Sequence, residues 1–312
     1  MASHPLIPRR EFVKLTLTLA GAAALAPLPS FGRPLPPEGF PDIASVKGAD
    51  AYTATLKAIE LAGGMGRFLG RSGKIGLLVN APTWWKLPGS HTSTDVVLAV
   101  IESCLKAGFK DIVFLQNPAS GFWERSKRSA SLPDVVKSVK AAWGDKVEIA
   151  VKGGLALKKA RVARDLLEVD AVIDLPIAKD HAGTRYSGCL KNMMGACADE
   201  TNRFFHAGSG AKGEYDDVAF LSQCIADLEL VRKPTLCVAD ATVVLGDNGP
   251  AGPGTLLKPG RVVVGADPVA VDAYCAGLLG RAAADIAMLG KAAAHGIGRM
   301  ETSKLKIKEA II

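Results

Sequence analysis

Residues 74–115 begin with K-I-G-L-L-V (residues 74–79), a short apolar run that is typical of a buried strand. The run T-D-V-V-L-A-V-I-E-S-C-L-K-A (residues 94–107) follows, with apolar residues at helical spacing and a capping residue just before it. A second strand-type run, D-I-V-F-L, closes the stretch at residues 111–115. Strand, helix and strand in this order form a βαβ unit, whose two strands are parallel. The stretch therefore predicts a parallel sheet covered by helices.

The same alternation continues along the chain. Further strands are expected at residues 147–151, 170–175, 235–239 and 261–264. Further helices are expected at residues 51–61, 132–143, 157–167, 215–230, 268–279 and 282–294. Repeated alternation of this kind indicates an α/β fold, with a mainly parallel sheet and helices on both faces in a Rossmann-like three-layer architecture.

The N-terminus resembles a twin-arginine export signal. Residues 8–14 read P-R-R-E-F-V-K, in which Arg9, Arg10, Phe12 and Lys14 match the pattern residue by residue, while Pro8 replaces the more usual Ser or Thr. A modest apolar stretch follows at 15–28. That stretch is too short and too rich in Ala and Gly to span a bilayer, which takes about 20 strongly apolar residues. A membrane anchor and a cytosolic amphipathic arm are the alternatives to export.

The export signal has consequences for organisation and location. We expect residues 1–32 to be the signal peptide, residues 33–73 to be a Pro-rich surface lead-in with an N-terminal helix, and residues 74–312 to form a single α/β domain. The resemblance implies transport of a folded protein by the twin-arginine machinery into the periplasm, with no stable membrane span after cleavage. Export after folding is compatible with a bound cofactor, whose identity the sequence leaves unknown.

Composition and charge narrow the class of partner. The chain has 312 residues, of which 48% are hydrophobic and 22% charged, so it can bury a full core. Its net charge of +7 is not gathered into basic runs or interleaved with aromatic residues. Nucleic-acid binding is therefore not indicated.

The six cysteines do not form a recognisable cluster motif. No C-x-x-C pair occurs, so a ferredoxin-type iron-sulfur cluster is not expected in this chain. Four cysteines lie in apolar patterns, where a free thiol behaves as a small hydrophobe: Cys104, Cys224, Cys237 and Cys275. Only Cys189 and Cys197 lie in a polar region.

Lys179 and His181 are the candidate catalytic residues. They lie in D-L-P-I-A-K-D-H-A-G-T-R-Y-S-G-C-L-K-N-M-M-G (residues 174–195), which follows a predicted strand and is expected to be an exposed loop. Ligands of open parallel sheets collect at the carboxyl ends of the strands, and two residues spaced by two can reach a common ligand. Lysine offers a positive charge with three donors, and histidine a donor, a base or a metal ligand. The alternative is that both side chains are solvated.

Asn80, Lys191, Asn192 and Asp240 are the candidate residues for binding a cofactor or anion. Asn80 and Asp240 follow predicted strands, and Lys191-Asn192 opens a short helix or turn. Basic and amide side chains beside outward-pointing backbone N–H groups form a receptor for carboxylate or phosphate. The alternative is that Asn192 is a cap and Lys191 is solvated.

Asp267 and Asp272 are the candidate metal ligands. Asp267 follows the strand expected at 261–264, so we expect it at the same edge of the sheet as Asn80 and Asp240. It also precedes a proline at an expected helix start and is explained as a cap. Asp272 lies one turn further on, and with Asp240 it could bind a divalent cation or neutralise Lys179 and Lys191. A buried ion network is an equally good explanation.

A series of motifs resembles the domain-of-unknown-function family 362 (DUF362). They are L-V-N-A-P at 78–82, D-L-P-I-A-K-D-H from Asp174, C-L-K-N-M-M-G from Cys189, R-F-F-H from Arg203, V-A-D-A at 238–241, G-P-A-G at 249–252, G-A-D-P-V-A-V-D-A from Gly265 and H-G-I-G from His295. The resemblance covers residues 74–298. The chain departs from the family in having no lysine shortly before Asn80 and none of the cysteines of the ferredoxin-like segment that many members carry. The resemblance therefore implies a domain and a residue pattern, without an iron-sulfur cluster or an assured reaction.

Three functions are compatible with these residues. The leading expectation is an exported enzyme of redox or metal-assisted type that binds a small anionic ligand or cofactor at the carboxyl edge of its sheet. The alternative is a non-catalytic periplasmic cofactor carrier or assembly protein. In a third interpretation Cys189 and His181 bind a soft metal, which needs further ligands.

Overall fold

The computed structural model describes residues 39–70, 73–82, 87–142, 144–207 and 217–312. The expected signal peptide lies outside these residues, as do the end of the helix expected at 132–143 and the start of the one expected at 215–230. Within the described ranges no helix has the length and apolar character needed to cross a membrane.

An eight-stranded sheet forms the centre of the fold. In sheet order its strands are β12 (Ile307–Ile311), β1 (Ile43–Lys47), β11 (Arg261–Gly265), β8 (Leu236–Ala241), β7 (Ala171–Leu175), β2 (Ile75–Val79), β3 (Ile112–Phe114) and β4 (Val139–Lys140). Two small hairpins stand apart from this sheet, formed by β5 (Lys146–Ala150) with β6 (Lys159–Ala163) and by β9 (Val244–Leu245) with β10 (Leu256–Leu257). The expected α/β class with a mainly parallel sheet is confirmed.

Strand β11 runs against its neighbours. It is antiparallel to both β1 and β8, whereas the other adjacent pairs of the sheet are parallel. The carboxyl ends of β2, β7 and β8 therefore share one edge, which we call the site edge. The carboxyl end of β11 lies at the opposite edge.

Helices cover both faces of the sheet. They are α1 (Ala51–Leu61), α2 (Met65–Leu69), α3 (Thr94–Lys106), α4 (Lys127–Ser131), α5 (Pro133–Lys137), α6 (Arg164–Glu168), α7 (Cys189–Asn192), α8 (Asp199–His206), α9 (Val218–Leu228), α10 (Pro268–Leu278) and α11 (Ala287–Ala294). Two apolar cores result, one with α1 and α3 and the other with α9, α10 and α11. Successive residues of β11 alternate between them, with Val263 in one core and Val262 and Val264 in the other.

Two local expectations are wrong. Ile43–Lys47 was expected in the surface lead-in, but it is strand β1, in which Ile43, Ala44 and Val46 are fully buried. The helix expected at 132–143 is reduced to the five residues of α5, followed by strand β4.

The helix expected at residues 157–167 is also largely wrong. Residues 159–163 form strand β6, and helix α6 begins only at Arg164. The side chains of Ala160 and Val162 are buried, while those of Lys159 and Arg161, which precede them in turn, are exposed. This period of two matches a strand with one buried face and not a helix.

Candidate functional site

The loop after β7 is folded against the sheet and was wrongly expected to be exposed. Asp240 of β8 exchanges backbone hydrogen bonds with Pro176 and Ala178, at 2.9 Å each, so the β7–β8 pairing continues beyond β7. Lys179 and Ser187 then exchange both of their backbone hydrogen bonds, at 3.0 and 2.9 Å. The loop can be buried because these backbone groups are paired.

Lys179 is fully buried at the site edge. Its Nζ donates to the carbonyl oxygens of Ser90 and Pro250, the second at 2.9 Å. Burial and then the positive charge of Lys191 lower the pKa of Lys179 to about 6. At neutral pH the amine therefore exchanges its proton readily, as a proton-transfer group must.

His181 is held in one orientation by the backbone. Its Nδ1 accepts hydrogen bonds from the N–H groups of Gly183, at 3.1 Å, and Thr184, at 3.4 Å, so the neutral ring carries its proton on Nε2. Burial, followed by the charges of Lys191 and Lys179, lowers the pKa of His181 to about 2. The imidazole is therefore a neutral hydrogen-bond donor throughout the physiological range.

Lys191 completes what we call the basic cluster, which consists of Lys179, His181 and Lys191. Its side chain is on helix α7, is 9% exposed, and lies with Nζ 3.4 Å from Sδ of Met194. The structure thus brings two candidate catalytic residues and one candidate anion-binding residue within electrostatic reach of one another.

Asn192 and Asn80 form a short amide chain next to the basic cluster. Nδ2 of Asn80 donates to Oδ1 of Asn192 at 2.9 Å. Nδ2 of Asn192 donates in turn to Oδ1 of Asp174 at 2.6 Å and to the carbonyl of Leu78 at 3.1 Å. Oδ1 of Asn80 is buried and has no hydrogen-bond partner within the described residues. Asn192 is thus buried and bonded to the sheet, and is not a helix cap.

Asp240 holds the wall of a cleft at the site edge. Its Oδ2 accepts from the N–H of Ser93 at 2.7 Å, and its Oδ1 accepts from the N–H and hydroxyl of Thr242 at 2.9 and 2.6 Å. Both carboxylate oxygens are therefore used by the protein. Burial raises the pKa of Asp240.

The cleft has a volume of about 210 Å³. Besides Asp240 it is lined by His91, Arg125 and the first residues of α3. The pKa of His91 is lowered by burial and also by the charges of Arg125 and Lys179, so the cleft lies within electrostatic reach of the basic cluster. A ligand in the cleft would meet the guanidinium group of Arg125 and also the carboxyl groups of Asp95 and Asp240.

The loop 246–254 closes over the hairpin after β7. The N–H of Gly249 donates to Oδ2 of Asp180 at 2.8 Å, and its carbonyl accepts from the N–H of Ala182 at 3.2 Å. Arg281 reaches the other carboxylate oxygen of Asp180 at 2.5 Å. Pro250, which accepts from Lys179, is held in place by these contacts.

The two candidate metal ligands serve as anchors and lie apart. Asp272 is fully buried and accepts from the N–H groups of Cys189 and Leu190, at 2.6 and 3.0 Å, and from the hydroxyl of Tyr186 at 3.3 Å. It thereby caps α7, and burial raises its pKa to about 6. Asp267 follows the antiparallel strand β11, so the expectation that it shares the edge of Asn80 and Asp240 is wrong.

Asp267 is fully engaged at its own edge. Its Oδ1 accepts from the N–H of Ala270 at the start of α10, and its Oδ2 accepts from the N–H of Arg299, both at 3.0 Å. This is the arrangement of a helix cap that also fastens a neighbouring loop.

A different group of side chains has the geometry of a metal site. One carboxylate oxygen of Asp174 and the sulfur atoms of Cys189 and Cys237 all lie within 4.8 Å of one another, and all three residues are buried. We call this group the thiol–acid cluster. His181, the other soft ligand considered from the sequence, is not part of it.

Cys237 was not predicted from the sequence to belong to a group of possible metal ligands. Its setting in the apolar run of β8 is typical of a core residue. The polar Asp174 at the end of an otherwise apolar strand is the signal that could have pointed to the cluster, because an ionisable group at a buried position needs a partner.

The comparisons with known proteins agree with the family resemblance. No curated protein matches the chain. The family model described as domain of unknown function (DUF362) matches residues 76–277, which include the basic cluster, the thiol–acid cluster and the residues that line the cleft. That match spans well over half of the chain. The chain therefore belongs to the DUF362 family.

Proposed function

We propose that the basic cluster and the adjoining cleft bind a small anion, a carboxylate or a phosphate, and that the chain is an exported enzyme of redox or metal-assisted type. The supporting observation is the burial of Lys179, His181 and Lys191 close enough together for Lys191 to lower the pKa of the other two. Protonating two buried lysines close together is unfavourable, and a bound anion offsets that cost.

The two candidate catalytic residues have complementary capacities. Lys179, with a pKa of about 6, can pass a proton to or from a bound ligand near neutral pH. His181 presents a fixed Nε2–H that can donate to an oxygen of that ligand. This pairing favours an enzyme over a carrier, since a carrier needs positive charge but no proton-transfer group.

The location and organisation remain part of the proposal. The twin-arginine resemblance of residues 8–14 supports export of the folded chain to the periplasm, and the exported α/β domain would include strand β1 as well as residues 74–312. Detection of the processed protein in a periplasmic fraction, and its loss when Arg9 and Arg10 are replaced by lysine, would support this route.

Replacing Lys179 with methionine should weaken binding of inorganic phosphate and of oxalate by about 10–100-fold, because a charge-assisted hydrogen bond contributes about 1.5–3 kcal/mol. Titration calorimetry on the variant and the parent protein measures this. The matched control is Lys308→Met in β12, where the lysine is exposed and far along the sheet from the site edge. Equal anion affinity in a folded Lys179→Met and the parent protein would contradict the proposal.

The affinity for oxalate, which stays a dianion over this range, should increase as the pH falls from 8 towards 6. Lys179 is largely neutral above its pKa of about 6, so binding an anion draws a proton onto the amine and becomes up to about tenfold tighter per pH unit. Below pH 6 the amine is already protonated and the dependence should flatten. Proton uptake is measured by calorimetry in buffers of different ionisation enthalpy.

The same titration of the variant serves as the control. Lys191, His91, His206 and Asp240 are other titratable groups around the site, and they remain in Lys179→Met. A pH dependence that persists unchanged in this variant would assign it to one of them and not to Lys179.

A further inference from the structure

We propose that Asp174, Cys189 and Cys237 bind a zinc ion in the core of the protein, beneath the site edge. This inference does not depend on the anion site. It rests on the geometry of three donor atoms and on buried carboxylate oxygens that lack partners.

The fold places the three donors together from separate parts of the chain. Asp174 of β7 and Cys237 of β8 are directly paired in the parallel ladder, so their side chains leave the same face of the sheet. Cys189 is the first residue of α7, which packs over that face. The three ligand atoms lie within 4.8 Å of one another before any metal is added.

Two buried carboxyl groups in this region of the core lack the hydrogen-bond partners that buried polar groups normally have. Oδ2 of Asp174 accepts no hydrogen bond within the described residues, although the residue is fully buried. Both carboxylate oxygens of Glu229 are likewise without a partner, and this side chain is 2% exposed. Buried polar groups are nearly always paired, so two such carboxyl groups in one region require an explanation.

A cation would stabilise the buried acidic residues of this region. Burial, and then the charges of Asp174 and Asp272, raise the pKa of Glu229, while Lys233 lowers it, so the three acids lie within electrostatic reach of one another. A divalent cation among them would replace this repulsion with attraction. Glu229 is not among the residues whose ligand atoms lie within 4.8 Å of one another, so its role would be to balance the charge of a bound cation.

Surrounding groups already orient the proposed ligands. The amide of Asn192 donates to Oδ1 of Asp174, which leaves Oδ2 for a metal. The backbone N–H of Cys189 is fixed by Asp272 at 2.6 Å. Hydrogen bonds of this kind to the residues behind the ligands are a regular feature of metal sites.

The donor set selects zinc over harder cations. Two thiolates and one carboxylate suit zinc and similar soft divalent ions, whereas calcium and magnesium take oxygen ligands. Three protein donors are the number found in zinc sites that keep a position for a water, a substrate or a fourth side chain.

The test uses full-length reduced protein freed of metal with a chelator. Addition of Co²⁺ should give a thiolate-to-cobalt charge-transfer band that saturates at one equivalent, and Zn²⁺ should displace it. Elemental analysis should then find one zinc per chain, and zinc should raise the melting temperature. Failure of the reduced protein to bind either ion would overturn the proposal.

Single substitutions identify the ligands. Cys237→Ser and Asp174→Asn should each weaken Co²⁺ binding by more than about 100-fold. Removing a residue that is only hydrogen-bonded to a metal ligand weakens binding by roughly 10–100-fold. The control is Cys104→Ser, which removes an equally buried thiol from α3 and should keep the band. A band that survives Cys237→Ser, or a Cys189–Cys237 disulfide found by thiol counting in the protein as isolated, would contradict the assignment. If one of the two variants does not fold, the other variant and the Co²⁺ titration of the parent protein still test the assignment.

Discussion

Replacing Asp272 with alanine should lower the free energy of unfolding by about 3–5 kcal/mol, the range found when a buried charge network loses one partner. The carboxylate accepts from the N–H groups of Cys189 and Leu190 and from the hydroxyl of Tyr186, and all of these groups are buried. Each donor left without a partner costs about 1–3 kcal/mol. Urea unfolding followed by circular dichroism measures the change.

Two further variants test whether the loss of stability comes from the missing hydrogen-bond acceptor. Asp272→Asn keeps the shape but turns an amide towards N–H donors, so it should lose most of the same stability. Asp285→Ala removes an exposed aspartate and should stay within about 0.5 kcal/mol of the parent protein. A loss below about 1 kcal/mol for Asp272→Ala would mean that α7 does not depend on this cap.

Replacing Gly249 with alanine should weaken phosphate binding at least about tenfold and lower the free energy of unfolding by about 1–3 kcal/mol, as overpacking does. A Cβ atom at this position would overlap the carbonyl oxygen of Asp180, which is backbone and has no room to yield. The loop must therefore shift, and Pro250 moves away from the amine of Lys179. Titration calorimetry and urea unfolding measure the two effects.

A second glycine provides the matched control. Gly277 lies in α10 with no atom within 4 Å of an added Cβ, and alanine there should stabilise the helix by about 0.5–1 kcal/mol. If Gly249→Ala were as stable as the parent and bound phosphate equally well, the loop 246–254 would have no part in positioning Lys179.

The sheet was predictable where burial on both faces leaves an uninterrupted apolar run. Strands β2, β7 and β11 are of this kind, and each lies within two residues of its expected position. β6 was missed because its alternation covers only the five residues Lys159–Ala163, and the longer stretch 157–167 was interpreted as one helix.

The direction of β11 could have been inferred but was not. Parallel neighbours need a crossover connection, usually a helix, and the residues between Ala241 and Arg261 form only the small β9–β10 hairpin. A connection without a helix favours an antiparallel return, and this places Asp267 at the far edge.

The two side-chain clusters differ in how far the sequence reveals them. Lys179, His181 and Lys191 lie within one segment of 13 residues whose polarity is unusual, so residue types alone pointed to them. Cys237 is 63 residues beyond Asp174 in the chain and looks like an ordinary core residue. Only the pairing of β7 with β8 makes them neighbours, and strand order is a tertiary property.

Helix α7 consists of one turn, C-L-K-N, and its residues belong to both clusters. Cys189 is a member of the thiol–acid cluster and Lys191 of the basic cluster, while Asn192 is hydrogen-bonded to Asp174 on one side and to Asn80 on the other. A rigid turn of this length cannot adjust one end independently of the other. If zinc binds the thiol–acid cluster and an anion binds the basic cluster, each ligand would change the affinity of the protein for the other. Both affinities would change by the same factor, so zinc and the anion would be allosteric effectors of one another.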